Sequence, residues 1–225
     1  MELLALAAAG FILIHIGVAG TTLRDTIVGA IGERAFQGLF SVASIVLLGL
    51  AVYGYNAAPY QDLWGHQEWA RHLLWLIMLP AVLLLIIGLT TPNPTSVGQE
   101  KLLASDEPAK GIVRITRHPF LWAVILWGLG HLIINGDLGA LLLFGAMTLT
   151  AALGTRSIDH KRARKDPEHW ARFSAVTSNV PFAAIAGGRN TFKLGELGWW
   201  RIALALIIYG VFFHFHGPVI GVPAT

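Results

Sequence analysis

The chain contains no cysteine among its 225 residues. This absence excludes disulfide bonds, zinc sites built from thiolates, iron–sulfur clusters and catalysis by a cysteine nucleophile. Nine histidines remain as the main candidates for binding a metal or carrying a proton.

Charged residues are also scarce. They make up 13% of the chain, and 55% of the residues are hydrophobic, whereas an ordinary soluble domain has about 25% charged residues. The apolar residues occur in runs close to the roughly 17–25 residues that a helix needs to cross a bilayer. We therefore expect an all-α polytopic membrane protein, a bundle of about six transmembrane helices in a single domain over residues 1–225. The predicted spans are 3–22, 36–55, 71–89, 119–135, 138–154 and 200–216.

The long loop after the fifth span is predicted to contain a short interfacial helix. Asp166 is a favourable N-cap residue, and Pro167 suits the first helical position. Trp170, Phe173 and Val176 then fall on one side of the helix, as in an amphipathic helix that lies in a membrane interface.

Basic residues predict the orientation of the spans. Of the 16 Lys and Arg residues, only Arg71 falls on the side of the membrane that carries both termini. Basic loops remain in the cytoplasm. We therefore expect a multi-pass protein of the bacterial inner (plasma) membrane with both termini outside. Because the basic residues flank spans, membrane lipids, and not nucleic acid, are the expected partners.

The fourth span begins with a cationic motif, Arg117-His118-Pro119. Pro119 suits the first helical position, where backbone N–H groups are free. Together with Arg114 and Arg117, these groups could bind a phosphate or a carboxylate. The alternative is that Arg117 and His118 only contact lipid headgroups.

Two histidines lie well inside apolar runs, His15 in the first span and His131 in the fourth. An ionisable residue at such a depth is a candidate functional residue. Trp127, Gly128 and Asn135 share a helix face with His131, and Gly128 leaves space beside the ring for a flat ligand or for a neighbouring helix. Two histidines on different spans are suited to ligating a haem. The alternative is that both only form hydrogen bonds.

These residues resemble the NnrU family of membrane proteins, whose relatives include the zeta-carotene isomerases. The resemblance rests on His15 followed by Arg24, on the stretch Arg117 to Asp137, and on Ser178 to Ala184. The stretch from Arg117 reads R-H-P, then W-x-x-x-x-W-G-x-x-H, then N-G-D.

The resemblance implies a haem b protein with iron ligands at His15 and His131. In the related isomerases, iron reduction releases a protein ligand and lets the metal act on a cis double bond of a carotene, an apolar small molecule. Those isomerases have a cysteine three residues before the second histidine, whereas this chain has Gly128. Bacterial NnrU proteins are also associated with nitrite and nitric oxide metabolism in denitrification.

Two other functions stay open at this point. The R-H-P motif is similar to that of membrane methyltransferases acting on isoprenylcysteine or phospholipid, which bind S-adenosylmethionine with the motif and a later acidic pair. Here Arg117, His118 and the single acid Asp159 would form that site. The other function is that of a non-enzymatic accessory protein, in which His15 and His131 only connect spans.

Overall fold

The computed structural model describes residues 1–221, most of which are α-helical. This architecture confirms the predicted all-α, polytopic membrane class. Thr225, on which the predicted position of the C-terminus depends, lies outside the described residues. The helices are α1 (Glu2–Ile12), α2 (Leu23–Ile31), α3 (Glu33–Ala57), α4 (Ala70–Thr90), α5 (Pro119–Ile134), α6 (Leu138–Lys165), α7 (Pro167–Val176), α8 (Ala183–Ala186) and α9 (Trp199–Ile220).

Four of these helices, α3, α4, α6 and α9, are long and apolar enough to cross a membrane. The bent pair of segments Glu2–Val18 and Leu23–Ile31 adds a fifth span if it is counted as one crossing. The remaining predicted span, 119–135, corresponds to α5, which is apolar but has only 16 residues. At 1.5 Å per residue it is about 24 Å long, less than the hydrocarbon thickness of about 30 Å.

The first predicted span is bent. After α1 the chain continues as a π-helix over Leu13–Val18 and then turns by 83° into α2. Gly17, Gly20 and Thr21 lie around the bend, and the Thr21 hydroxyl donates to the Gly17 carbonyl at 2.7 Å. A helix leaves its last carbonyl groups without a partner inside the helix, and this hydrogen bond supplies a donor to one of them.

Helix α6 extends eleven residues beyond the predicted end of its span at residue 154. Hydropathy locates the membrane and not the end of the helix, so the basic continuation was not predicted. The following helix α7 confirms the short helix expected after Asp166, whose side chain accepts a hydrogen bond from the His169 backbone N–H. Its apolar residues Trp170 and Phe173 are buried in protein.

The described residues form two compact units. The first comprises Met1–Ala70 and Gly128–Ser157. In this unit α1 packs closely on α3, where a Cβ on Gly54 would lie 2.9 Å from the Leu4 backbone nitrogen. Only glycine permits such an approach of the two backbones. The second unit comprises Arg71–Trp127 and the described residues from Ile158 onward, and its core is built around the fully buried Val113 and Phe173.

A small antiparallel sheet lies at the junction between α5 and α6. Strand β1 (Asp62–His66) pairs with β2 (Asn135–Asp137). The polar residues of β2 cap the two helices beside it. The Asn135 side-chain amide donates to the His131 carbonyl at 3.0 Å, and the Asp137 carboxylate accepts from the Ala140 N–H at 2.9 Å.

In the second unit, an ion-pair cluster joins two 3₁₀ turns, Gly111–Arg114 and Leu194–Leu197. The Arg114 guanidinium donates to Glu196 at 2.7 Å and to Glu107 at 2.8 Å. Hydrogen bonds from Arg114 lower the pKa of Glu196 to about 2. Because the pKa is depressed in the folded protein, Glu196 stabilises the fold above the ordinary glutamate pKa and loses this effect as the pH falls towards about 2.

We predict that Glu196→Gln lowers the thermal unfolding temperature in detergent at pH 7, and that the difference from wild type narrows as the pH falls below about 4.5. The exposed Glu168→Gln is the matched control and should follow the wild-type curve. If the unfolding temperature of Glu196→Gln stayed below that of wild type by the same amount from pH 7 to pH 3, the assigned role of the ion pair would be contradicted.

Candidate functional site

The Arg117-His118 motif meets Asp159 in the second unit. The motif precedes α5, and Asp159 lies on the continuation of α6. Arg117 Nη2 donates to Asp159 Oδ2 at 2.6 Å, and Arg117 Nε lies 3.0 Å from Oδ1. His118 Nε2 lies 2.6 Å from the same Oδ1. One carboxylate thus binds both side chains of the motif.

The backbone of the motif is held by two polar loops. The Arg117 carbonyl accepts from the Thr95 hydroxyl at 2.6 Å and from the Asn93 amide at 3.1 Å. The Arg117 N–H donates to the Ser178 carbonyl at 3.0 Å. The Thr116 hydroxyl donates to the Asn179 carbonyl. These contacts fix the chain direction just before α5.

The charges of this cluster are compensated inside the protein. His118 is 2% exposed, so its ring is covered by protein and cannot contact lipid headgroups. Burial lowers the pKa of His118, and the hydrogen bond to Asp159 opposes this shift. A carboxylate oxygen can only accept, so Nε2 of a neutral His118 carries the proton. The anion expected beside Arg117 is therefore the protein's own Asp159.

His15 lies in the π-helical segment of the first unit and is packed between phenylalanines. Its ring stacks on Phe11 with 4.0 Å between centroids and meets Phe40 edge-on at 4.9 Å. His15 Nδ1 lies 2.8 Å from the Phe11 carbonyl oxygen. A carbonyl only accepts, so the proton is on Nδ1 and Nε2 keeps a lone pair.

His131 belongs to the same unit, on α5. Its ring stacks on Phe144 of α6 with 4.8 Å between centroids. A Cβ on Gly128 would lie 2.1 Å from Thr148 Oγ1 and 3.0 Å from the Phe144 carbonyl oxygen. The space beside Gly128 is thus filled by α6, as expected for close helix packing.

The predicted site residues fall into two groups. Arg117 and His118 are brought together with Asp159, whereas His15 and His131 each stack on a different phenylalanine in the first unit. Among residues 1–221, no cluster of three or more His, Asp or Glu side chains is arranged to hold a metal ion. Two histidines from opposite sides suffice for a haem, so this finding applies to simple metal ions only.

Sequence reasoning missed the polar residues that hold the motif. Asn93 and Thr95 lie between the third and fourth predicted spans, yet they are 3% and 6% exposed. The prolines that flank Asn93, in the sequence T-P-N-P-T, could have indicated a structured turn at this position. Ser178 and Asn179 belong to a stretch that had been singled out only by its family resemblance.

The fold and these clusters define a polytopic helical membrane protein with a buried Arg-His-Asp network and histidines within its apolar helices. The sequence profile described as NnrU protein matches residues 3–224. The chain belongs to the NnrU family.

Two curated relatives carry the name 15-cis-zeta-carotene isomerase, chloroplastic. The protein of Arabidopsis thaliana is 30% identical over 192 residues, covering 80% of this chain and 49% of the relative. That of Zea mays is 27% identical over 219 residues, covering 90% of this chain and 57% of the relative. The chain thus spans about half the length of the curated relatives that it matches. No solved structure matches it.

We predict that Asp159→Asn destabilises the protein by about 3 kcal/mol, because Arg117 would keep a charge that is largely buried and no longer neutralised. Thermal unfolding in detergent measures this loss. The exposed Asp106→Asn is the control, and Arg117→Gln combined with Asp159→Asn should cost less than the sum of the single changes. Equal effects of Asp159→Asn and Asp106→Asn would contradict the network.

Proposed function

We propose that this chain is an integral membrane protein that binds haem b through His15 and His131 and acts as a cis–trans isomerase on an apolar polyene. The observation that carries the proposal is the hydrogen bond between His15 Nδ1 and the Phe11 carbonyl. It fixes the tautomer that an iron ligand requires, with the Nε2 lone pair available.

The surroundings of His15 support this assignment. Histidines that ligate metals commonly donate the other ring N–H to a backbone carbonyl, which orients the ring. Single π-helical turns inside helices are frequent at functional sites, and His15 lies within Leu13–Val18. Phe11 and Phe40 surround the ring with apolar surface, which suits a macrocycle with low exposure to water.

His131 would supply the second axial ligand. Its stacking on Phe144 restricts rotation of the ring, and the Asn135 amide bonded to its carbonyl secures the end of α5. Bound haem would supply a redox-active iron. Because Gly128 carries no thiol and faces Thr148, any exchange of ligands has to involve the histidines and not a thiolate.

A shallow, mostly apolar groove of about 460 Å³ is a candidate contact surface for an apolar substrate. It lies in the first unit and is lined by Trp64, Gln67, Trp69, Leu129, Leu132 and Ile133. The three α5 residues share one face of the helix, and His131 lies on another face. No lining side chain carries a charge, as expected of a site for a hydrocarbon. The names of the two relatives favour a 15-cis polyene as the ligand to test.

The alternatives receive less support. An S-adenosylmethionine site at Arg117, His118 and Asp159 would need accessible polar groups, but His118 is 2% exposed and the three side chains satisfy one another. A role in nitrite or nitric oxide metabolism rests on the family resemblance alone. A non-enzymatic accessory role becomes the better account if haem does not bind.

We predict that protein purified from haem-sufficient cells shows the Soret band and the reduced α and β bands of a low-spin b-type haem. His15→Ala and His131→Ala should each reduce the haem content per protein at least fivefold, because each removes one axial ligand. Absorption spectra before and after dithionite reduction, with haem quantified as the pyridine haemochrome, measure this.

His214→Ala is the matched control, since His214 is an exposed histidine on the membrane helix α9. It should retain the wild-type haem content and spectrum. Colourless wild-type protein, or unchanged haem in both the His15 and His131 variants, would overturn the proposal. A coloured protein that leaves a 15-cis polyene unchanged on reduction would contradict the isomerase step alone.

A further inference from the structure

The loop between α7 and α9 exposes large apolar side chains. Within residues 180–194, called the apolar loop below, four of them are between 48% and 61% exposed: Val180, Phe182, Phe192 and Leu194. The two phenylalanine rings lie together, with 6.5 Å between their centroids. Charge is scarce here, since Arg189 is the one charged residue in the sequence from 177 to 192. Exposed apolar clusters of this kind mark surfaces that contact a membrane or another protein.

Phe182 holds a backbone conformation that is unfavourable for its side chain. Its φ is +64°, and it is the one residue other than glycine with a positive φ among residues 1–221. Glycine adopts this conformation freely, whereas a bulky residue is strained in it. The Phe182 N–H donates to the Ile115 carbonyl at 2.8 Å, and its carbonyl accepts from the Ala186 N–H at 2.8 Å, which holds the backbone in place. An exposed phenylalanine at a position suited to glycine indicates that its ring contacts something outside the chain.

The apolar loop lies beside the starts of two apolar helices. Ile115, which binds Phe182, comes four residues before α5 begins. The other end of the loop leads into the 3₁₀ turn Leu194–Leu197, and the membrane-spanning helix α9 begins at Trp199. The hydrogen bond from Arg114 to Glu196 at 2.7 Å connects the two helix starts. The loop is therefore held at the level where α9 enters the membrane.

The first residues of α9 support the same depth. Trp199 and Trp200 are both exposed, and the Arg201 guanidinium carbon lies 4.9 Å from the centroid of the Trp200 ring. Tryptophan at the end of a span is typical of the boundary between headgroups and hydrocarbon. The helix before the loop does not present such a surface, because Trp170 and Phe173 of α7 are covered by protein.

We propose that the apolar loop is an interfacial membrane anchor whose Phe182 and Phe192 rings insert between the lipids of the leaflet in which α9 begins. A membrane fits this surface better than a protein does, because the surface continues into the lipid-facing side of α9. Insertion removes the rings from water, which offsets the strain at Phe182.

The charge of the loop is compatible with this position. Arg189 Nη1 donates to the carbonyls of Ala175 and Thr177 at the end of α7, at 2.9 Å and 3.1 Å. The guanidinium is thus held against polar backbone groups beside the rings. The anchor is independent of haem binding, because its residues belong to the second unit, whereas His15 and His131 belong to the first.

A chain without cysteine permits a direct test, since a single introduced cysteine is the only thiol that a label can modify. Phe182→Cys and Phe192→Cys are labelled with a nitroxide and reconstituted as the full chain in vesicles of phosphatidylcholine and phosphatidylglycerol. Power-saturation electron paramagnetic resonance then compares collisions with oxygen, which concentrates in hydrocarbon, and with a water-soluble nickel complex. Leu206→Cys on the exposed side of α9 is the lipid control, and Glu168→Cys on the exposed side of α7 is the water control.

We expect the ratio of oxygen to nickel collisions at Phe182→Cys and Phe192→Cys to be about threefold or more above that at Glu168→Cys, approaching that at Leu206→Cys. Leu194→Cys should give the same result without altering the strained backbone, so the test stands even if Phe182→Cys does not fold. Ratios equal to that at Glu168→Cys at all loop positions would overturn the proposal. Labels shielded from both reagents would also overturn it, because the loop would then be covered by protein.

Discussion

The second unit depends on one carboxylate, Asp159. It lies where α6 has left the apolar sequence of its span, and it binds the guanidinium of Arg117 and the imidazole of His118. All three side chains are largely shielded from water. The start of α5 is therefore tied to the end of α6, and loops containing Asn93 and Ser178 lock the backbone between them. Removing Arg117 or Asp159 alone leaves the other charge buried and uncompensated. Breaking a buried ion pair in this way is strongly destabilising.

The polar residues of the two units have different surroundings. The Arg-His-Asp network neutralises itself, and its three side chains are largely shielded from solvent. His15 and His131 differ, because their environment is made of phenylalanine rings and the His15 tautomer leaves a lone pair on Nε2. The proposed haem site therefore lies in the first unit, and the ion-pair network that holds the start of α5 lies in the second. The family membership agrees with a polytopic membrane protein.

Much of the fold follows from hydropathy, and the remainder depends on contacts between distant residues. The apolar runs located α3, α4 and α9 to within a few residues, and Asp166-Pro167 located the start of α7. The pairing of β1 with β2 was missed, because Asn135-Gly136-Asp137 carries the composition of a turn. The partner of Arg117 lies 42 residues away. Sequence spacing does not reveal this contact, and only the resemblance to methyltransferases had grouped Asp159 with Arg117 and His118. Gly128 allowed either a flat ligand or a packed helix, and only the position of Thr148 distinguishes them.

The central claim is that two imidazoles, those of His15 and His131, hold one haem iron. Electron paramagnetic resonance of the oxidised, detergent-purified protein at low temperature tests it most directly, because the spin state of ferric haem reports its axial ligands. Two imidazoles predict a low-spin signal that becomes high-spin in His131→Ala reconstituted with haem. A wild-type protein with a high-spin signal, or with no haem signal after reconstitution, would contradict the claim.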